Sequence, residues 1–473
     1  MCAPGSLPGS LTRPGLRRHL RLTFPMPADT AAPRPPHLSP AAGGPSGGGP
    51  SASGRLGAHL AESAWLGLLL TVPLVMNVAA ARTFEAAKLA AAAPIVALML
   101  FALIAAAIEG QARWPVMPGR SGAVRAGVWA FIALTGSASL STVMSETPWI
   151  AFFGDYFRRE GLVSWLIYAI TFAALLLLLR RRHQLERLID VLLLASVLPC
   201  VYALQQRYGF DFFSTAGLND ATRGSRPGSN LGNPTFLSAW LLLVIPVTVA
   251  RLFNSASSLS ARAPWLLLLG TQLFVAILTQ SRGPVLALIA TLFLLAVLLG
   301  GLLRRRGLVL AAAGVAAITL AGLLLLNLTP DLQGLAKGTP LQRFVFTGGQ
   351  DFSSNSRIGI WGMGIDAFLQ QPLWRQLIGS GPDATHFNYF PHLPAWVLRI
   401  EGLTETIDRL HSESLESVMT LGLAGLLAQL VLLSALVWLA VTRLGRVRGA
   451  GAASVFAEAC VLALAGGGFG LMA

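Results

Sequence analysis

Apolar residues along this chain come in long unbroken runs, not in short alternation with polar ones. From about residue 64 onward, stretches of roughly 17–25 mostly apolar residues recur between short polar links. Each is long enough to cross a hydrocarbon core as an α-helix. The runs fall near 64–82, 87–109, 124–144, 162–180, 188–206, 234–252, 264–280, 284–301 and 307–328. A polar stretch over about 329–415 interrupts them, and two further runs follow near 417–441 and 453–473. The pattern predicts an all-α membrane protein of about eleven spanning helices, with one large loop between the ninth and tenth. Residues 1–63 are rich in Pro, Gly, Ala and Ser and carry several Arg. They lack the continuous apolar region of a signal peptide and read as a disordered tail, with Met26 an alternative start. The expected organisation is a tail over 1–63, a nine-span bundle over 64–328, a large loop over 329–415 and two more spans over 416–473.

Charge orients this bundle. Every second connection is rich in arginine and poor in acid: Arg113, Arg120 and Arg125; Arg180, Arg181, Arg182 and Arg187; Arg251 and Arg262; Arg304, Arg305 and Arg306; Arg443, Arg446 and Arg448. By the positive-inside rule these connections and the N-terminal tail face the cytoplasm of an inner-membrane protein. The links 83–86, 145–161, 207–233, 280–283 and 329–415 are then expected on the outer, periplasmic or extracellular side. Arg82 and Lys88 flank the first of them and are mild exceptions.

Composition sharpens the class. Of 473 residues, 54% are hydrophobic and only 12% charged, about half the charge of an ordinary soluble domain. Mean hydropathy is +0.64, so the bilayer must solvate much of the surface. The net charge of +14 does not indicate a nucleic-acid partner, because the basic residues are short runs between apolar segments and form no continuous face. Three cysteines, Cys2, Cys200 and Cys460, imply neither a disulfide framework nor a thiolate metal site.

The expected outer links hold the unusual polar residues. Arg282, in Thr279-Gln280-Ser281-Arg282-Gly283, sits between two apolar runs with almost no loop. A cation at that depth costs about 2.5–3.5 kcal/mol on insertion scales, which makes it a functional candidate, although a snorkelling side chain or buried ion pair is the plainer alternative. Arg158, Arg159, Arg226 and Arg357 are further outer-side cations. Guanidinium groups gathered at one membrane-level cavity would suit a diphosphate, whereas each alone could pair with a neighbouring acid, as Asp155 and Glu160 could with Arg158 and Arg159. His411, six residues ahead of the run that opens at Ser417, could exchange a proton near neutrality. His386 and His392 share its loop, but their spacing matches no compact metal motif, and the chain has no Asp-x-Asp pair. No metal and no other cofactor is expected.

Several of these motifs together resemble the O-antigen ligase and polymerase superfamily over roughly 150–440. They are Thr279–Gly283, Gly232-Asn233-Pro234 opening a run, Ser356-Arg357 through Trp361, Gly379-Ser380-Gly381-Pro382, and Asp408-Arg409-Leu410-His411 ahead of a run. The resemblance implies a polytopic glycosyltransferase of the cytoplasmic membrane. It would move a glycan from an undecaprenyl-diphosphate carrier to an acceptor glycolipid, glycan or protein hydroxyl, without metal. It also implies functional roles for Arg282, Arg357 and His411, with Arg226, Arg158 and Arg159 as substrate-binding residues in the corresponding loops. Two features depart from the family pattern. Ser412 follows the histidine where Asn is usual, and relatives commonly have about twelve spans, so the last is missing or the chain is a truncated reading. An anion transporter, of the kind some relatives have been labelled, is the alternative. It is disfavoured because no polar residues are strung through the helices as a relay.

Overall fold

The computed structural model describes residues 56–80, 82–111, 122–209, 212–213, 226–254, 258–302, 306–337, 339–345, 352–401, 407 and 409–446. All regular structure among them is helical. The helices are α1 (Leu56–Leu74), α2 (Glu85–Ile108), α3 (Gly122–Val143), the short α4 (Pro148–Phe153), α5 (Leu162–Leu178), α6 (Arg182–Arg207), α7 (Pro234–Asn254) and α8 (Leu259–Leu278). They continue with α9 (Arg282–Leu302), α10 (Arg306–Leu328), α11 (Pro330–Ala336), α12 (Phe352–Gln370), α13 (Leu373–Ile378), α14 (His386–Tyr389), α15 (Ala395–Glu401) and α16 (Glu413–Arg446). Seven are long and apolar enough to cross a membrane: α2, α3, α6, α7, α8, α10 and α16. α5 is apolar but shorter. Large apolar side chains such as Phe101, Leu267, Leu310 and Ile318 are exposed. That is the expected surface of a multi-pass membrane protein, whose outer faces meet lipid.

The first helix begins eight residues earlier than the apolar run suggests. Its opening turns are polar, but Glu62 is satisfied: it accepts a hydrogen bond from Gln184 Nε2 at 3.0 Å and pairs with Arg187 at 2.5 Å. Small residues then let the helices close up. Ala61 and Trp65 of α1 pack on Ala102 and Ala106 of α2 and Ala174 of α5, the close packing by small side chains that replaces a hydrophobic driving force inside lipid. A second core joins Cys200 and Ala203 of α6 to Leu237 and Leu241 of α7, Val275 of α8 and Leu288 of α9. Gln272 crosses it, donating to Ser196 Oγ at 2.9 Å and accepting from Thr248 Oγ1 at 2.8 Å.

The polar stretch 329–415 is mostly helical. In α12, Ile360, Met363 and Ala367 are buried with Tyr389, Val397, Leu410 and Met419, so the segment carries its own core seated on the start of α16. The expected run 453–473 and residues 1–55 of the expected tail lie outside the described residues.

α16 is broken at Gly422, where φ is +71°. A break in a spanning helix frees backbone carbonyls that lipid cannot solvate, so protein groups must take them. Here the chain itself supplies the donors. Ser380 N–H donates to Met419 O at 2.9 Å, Gly381 N–H to Thr420 O at 3.0 Å, and Ser137 Oγ of α3 to Leu421 O at 2.8 Å. Gly379, with φ of +90°, lies directly on this break: a Cβ there would sit 2.3 Å from Thr420 O. Gly379→Ala should therefore cost at least about 2 kcal/mol, from left-handed backbone plus a backbone clash. Gly362→Ala, whose Cβ would meet nothing within 4 Å, should be neutral or slightly stabilising. Thermal midpoints of both variants in detergent test the contrast.

Candidate active site

The links expected on one side of the membrane meet one another. Lys88, at the start of α2, donates to Val72 O at 3.0 Å and Val75 O at 3.1 Å, closing the end of α1, and to Asn230 O at 2.8 Å in the link before α7. The ring of Phe84 lies against Gly232, where it leaves no room for a Cβ. Arg82 stacks over Phe157, 3.9 Å from the ring centroid. Asp383 of the 329–415 segment accepts from the N–H of Asp155 at 2.6 Å and of Glu160 at 3.2 Å.

Arg226 joins the remaining link. Its Nε donates to Thr279 O at 3.0 Å and a terminal nitrogen to Ser281 Oγ at 3.4 Å. It thus grips the turn that launches Arg282 as the first residue of α9. Gln280 within this turn has φ of +50°, uncommon for a side-chain-bearing residue. A cation at a helix N-terminus opposes the helix dipole, whereas an anion bound there would be favoured by both.

Arg158 and Arg159 project from a closed loop, residues 154–161. Gly154 and Gly161 let its two ends touch: a Cβ on Gly161 would lie 2.2 Å from Gly154 N. The carbonyl of Arg159 accepts from Ser164 Oγ at 2.6 Å, tying the loop to α5. Of the two neighbouring acids, Glu160 pairs with Arg409, and Asp155 Oδ1 accepts the N–H of Tyr156 at 2.6 Å.

Two cavities open beside this loop. The larger, about 770 Å³, lies between α1, α2, α5 and α7. Its walls are apolar, including Leu68, Leu89, Ile167, Phe172 and Trp240, and its charged lining is Glu85, Lys88, Arg158, Arg159 and Glu160. Those charges stand where α2 and α5 begin, so the cavity is basic at the loop end and greasy along the helices. The smaller, about 280 Å³, is lined by Glu160, Asp383, Arg409, Glu413 and Glu416, together with Trp165 and Tyr168. Glu160, Ser164 and Tyr168 line both.

The smaller cavity contains the functional candidates that sequence reasoning missed. Arg409 stays charged although burial opposes it, because Glu160, Glu416, Glu413 and Asp383 surround it. Burial pushes the Asp383 carboxyl up to about 6, with the nearby charges of Glu160 and Asp155 adding to the effect and their backbone N–H groups opposing it. Buried Glu416 accepts from Thr385 Oγ1 at 3.2 Å and from Leu410 N–H at 3.0 Å. One signal was available: a carboxylate at 416, on the edge of an apolar run, is a functional candidate for the same reason as Arg282.

The three residues expected to act together come from three different elements: Arg282 opens α9, Arg357 is in α12 and His411 precedes α16. His411 is exposed with φ of +53°. It is fixed by its neighbours: Leu410 is buried against Gly364 of α12, and Ser412 O accepts the N–H of Glu416 as α16 starts. Arg357 is on the exposed side of α12. Arg282, Arg357 and His411 line neither cavity. No group of three or more His, Cys, Asp or Glu able to hold a metal ion occurs among the described residues.

The folded protein favours neutral Asp383. Its contribution to stability is thus full below about pH 3.8, the ordinary value, and is lost as pH rises through about 6. Asp383→Asn keeps an oxygen for both N–H groups and removes the titration. The thermal midpoint of this variant minus that of wild type should rise between pH 4.5 and 7.5; a flat or falling difference would contradict the assignment.

Residues 265–430 match a family model described as O-Antigen ligase. The match spans the Arg282 turn, Arg357, the Gly379–Gly381 contact and His411. No curated protein matches the chain.

Proposed function

We propose, from the match of residues 265–430 to the O-Antigen ligase family model, that this chain transfers a glycan from an undecaprenyl-diphosphate carrier to an acceptor hydroxyl on the outer face of the cytoplasmic membrane. The observation that carries this reading is the larger cavity. Apolar walls within the bundle that end at Lys88, Arg158 and Arg159 suit an amphiphile with a long hydrocarbon tail and an anionic head. The first isoprene units would lie against Leu68, Leu89, Phe172 and Trp240, with the rest of the tail in lipid. Lys88 already spends its N–H donors on three carbonyls, so it supplies positive charge while Arg158 and Arg159 supply the hydrogen bonds.

The chemistry requires little more than positioning, because the diphosphate is already a good leaving group. As the glycosidic bond breaks, charge grows on the diphosphate oxygen. Guanidinium groups fixed before the reaction stabilise that charge without reorganising. In this reading Arg282 and Arg357 supply it. Arg226 acts by holding the Arg282 turn, and the α9 N-terminus adds to the same field. His411 accepts the proton of the attacking hydroxyl, a role worth typically about 10²–10⁴-fold. Displacement from the opposite face inverts the anomeric carbon, and no metal takes part. The acceptor is a glycolipid, a growing glycan or a protein hydroxyl.

His411→Ala and Arg282→Ala should each lower glycan transfer in membranes at least about 100-fold at unchanged protein level. Full activity in both variants sinks the proposal. Uptake of labelled anion by liposomes carrying the pure protein, without glycan transfer, favours the transporter instead.

A further inference from the structure

The smaller cavity has a composition unlike that of its neighbour. It is polar, at about 280 Å³ it lies just under the size range of small-molecule pockets, and it adjoins the basic end of the larger one through Glu160, Ser164 and Tyr168. A lipid tail has no business among carboxylates, and a diphosphate would be repelled by them. A neutral polyhydroxyl ring fits: carboxylates accept from sugar hydroxyls, a guanidinium donates to ring and hydroxyl oxygens, and an aromatic face covers the apolar side of the ring. Glu413, Arg409 and Trp165 offer those three features in one cavity.

The engagement of each polar group shows which one would do the recognising. Glu160 is paired with Arg409, Asp383 holds two backbone N–H groups, and Glu416 holds Thr385 and Leu410. Glu413, held electrostatically by Arg409, is the one carboxylate of the four with no hydrogen bond among the described residues. It opens α16, so its backbone is fixed by the helix while its acceptor capacity remains. Position adds a second constraint. A group joined to a diphosphate at Arg158 and Arg159 passes Glu160, Ser164 and Tyr168 to enter this cavity.

We propose that the smaller cavity binds the sugar attached directly to the carrier diphosphate, and that Glu413 is its specificity-determining residue. The proposal rests on the reading of the larger cavity as the carrier site. It makes the protein selective for the first sugar of the glycan.

The test compares two ligands on the purified full-length protein in detergent: undecaprenyl diphosphate without sugar, and the same carrier bearing one hexose. Glu413→Ala should weaken binding of the glycosylated carrier roughly tenfold or more while leaving the sugar-free carrier within about twofold. Glu413→Gln, which keeps shape and one acceptor oxygen, should recover part of the loss and guards against a folding defect. Arg158→Ala should weaken both ligands. Equal losses for both ligands in Glu413→Ala, or no loss for either, overturn the sugar site while leaving the carrier site standing. If wild-type protein binds neither ligand, the carrier reading itself fails, and the sugar site with it.

Discussion

A helix cannot be broken inside a membrane unless something takes up its carbonyls, and that constraint organises this molecule. Gly422 breaks α16, and Ser380, Gly381 and Ser137 donate to the carbonyls beside the break. The Gly379–Gly381 loop is thereby fixed against the helix. Asp383, two residues further on, is placed to hold the N–H groups of Asp155 and Glu160, and Glu416, below the break, holds Thr385 and Leu410. The loop bearing Arg158 and Arg159, the segment bearing His411 and the polar cavity between them all hang from one interruption in one helix.

The same constraint separates the two cavities chemically. The larger lies mostly among helices, and its walls are apolar except at the end that carries Glu85, Lys88, Arg158, Arg159 and Glu160. The smaller lies where backbone regularity fails, and polar side chains gather there to meet what the backbone leaves open. An amphiphile with a hydrocarbon tail, an anionic joint and a hydroxylated head matches that sequence of environments along its own length. This correspondence, joined to the family match over 265–430, favours a lipid-linked glycan over a small inorganic anion.

Much of the helical framework was legible because uninterrupted apolar runs have few other solutions. The start of α1 was not, since Glu62 shortens its apolar run and only Gln184 and Arg187, more than a hundred residues away, make it tolerable. Residues 329–415 read as a loop because most of their helices are short, and α12, though 19 residues long, is not apolar enough to stand out as a span. Their buried face, Ile360, Met363 and Ala367, exists only against Leu410 and Met419. Candidate arginines stood out as cations in the wrong place. Their surroundings did not: the partner of Glu160 is Arg409, 249 positions on, and no local spacing encodes such a pair. Charge alternation did group the links that meet in the fold, because sharing one side of a bilayer already limits which links can touch.

The separation along the chain also constrains biogenesis. Ser137 and residues 155–160 are made early in synthesis, yet the groups that complete them, within residues 383–421, are translated more than two hundred residues later. Until those residues arrive, the N–H groups of Asp155 and Glu160 and the Glu160 carboxylate lack the partners they have in the folded protein. Such an intermediate is open to capture and degradation. α16, the last helix among the described residues, therefore acts as the keystone of the assembly, and damage near Gly422 should show first as chains that never mature.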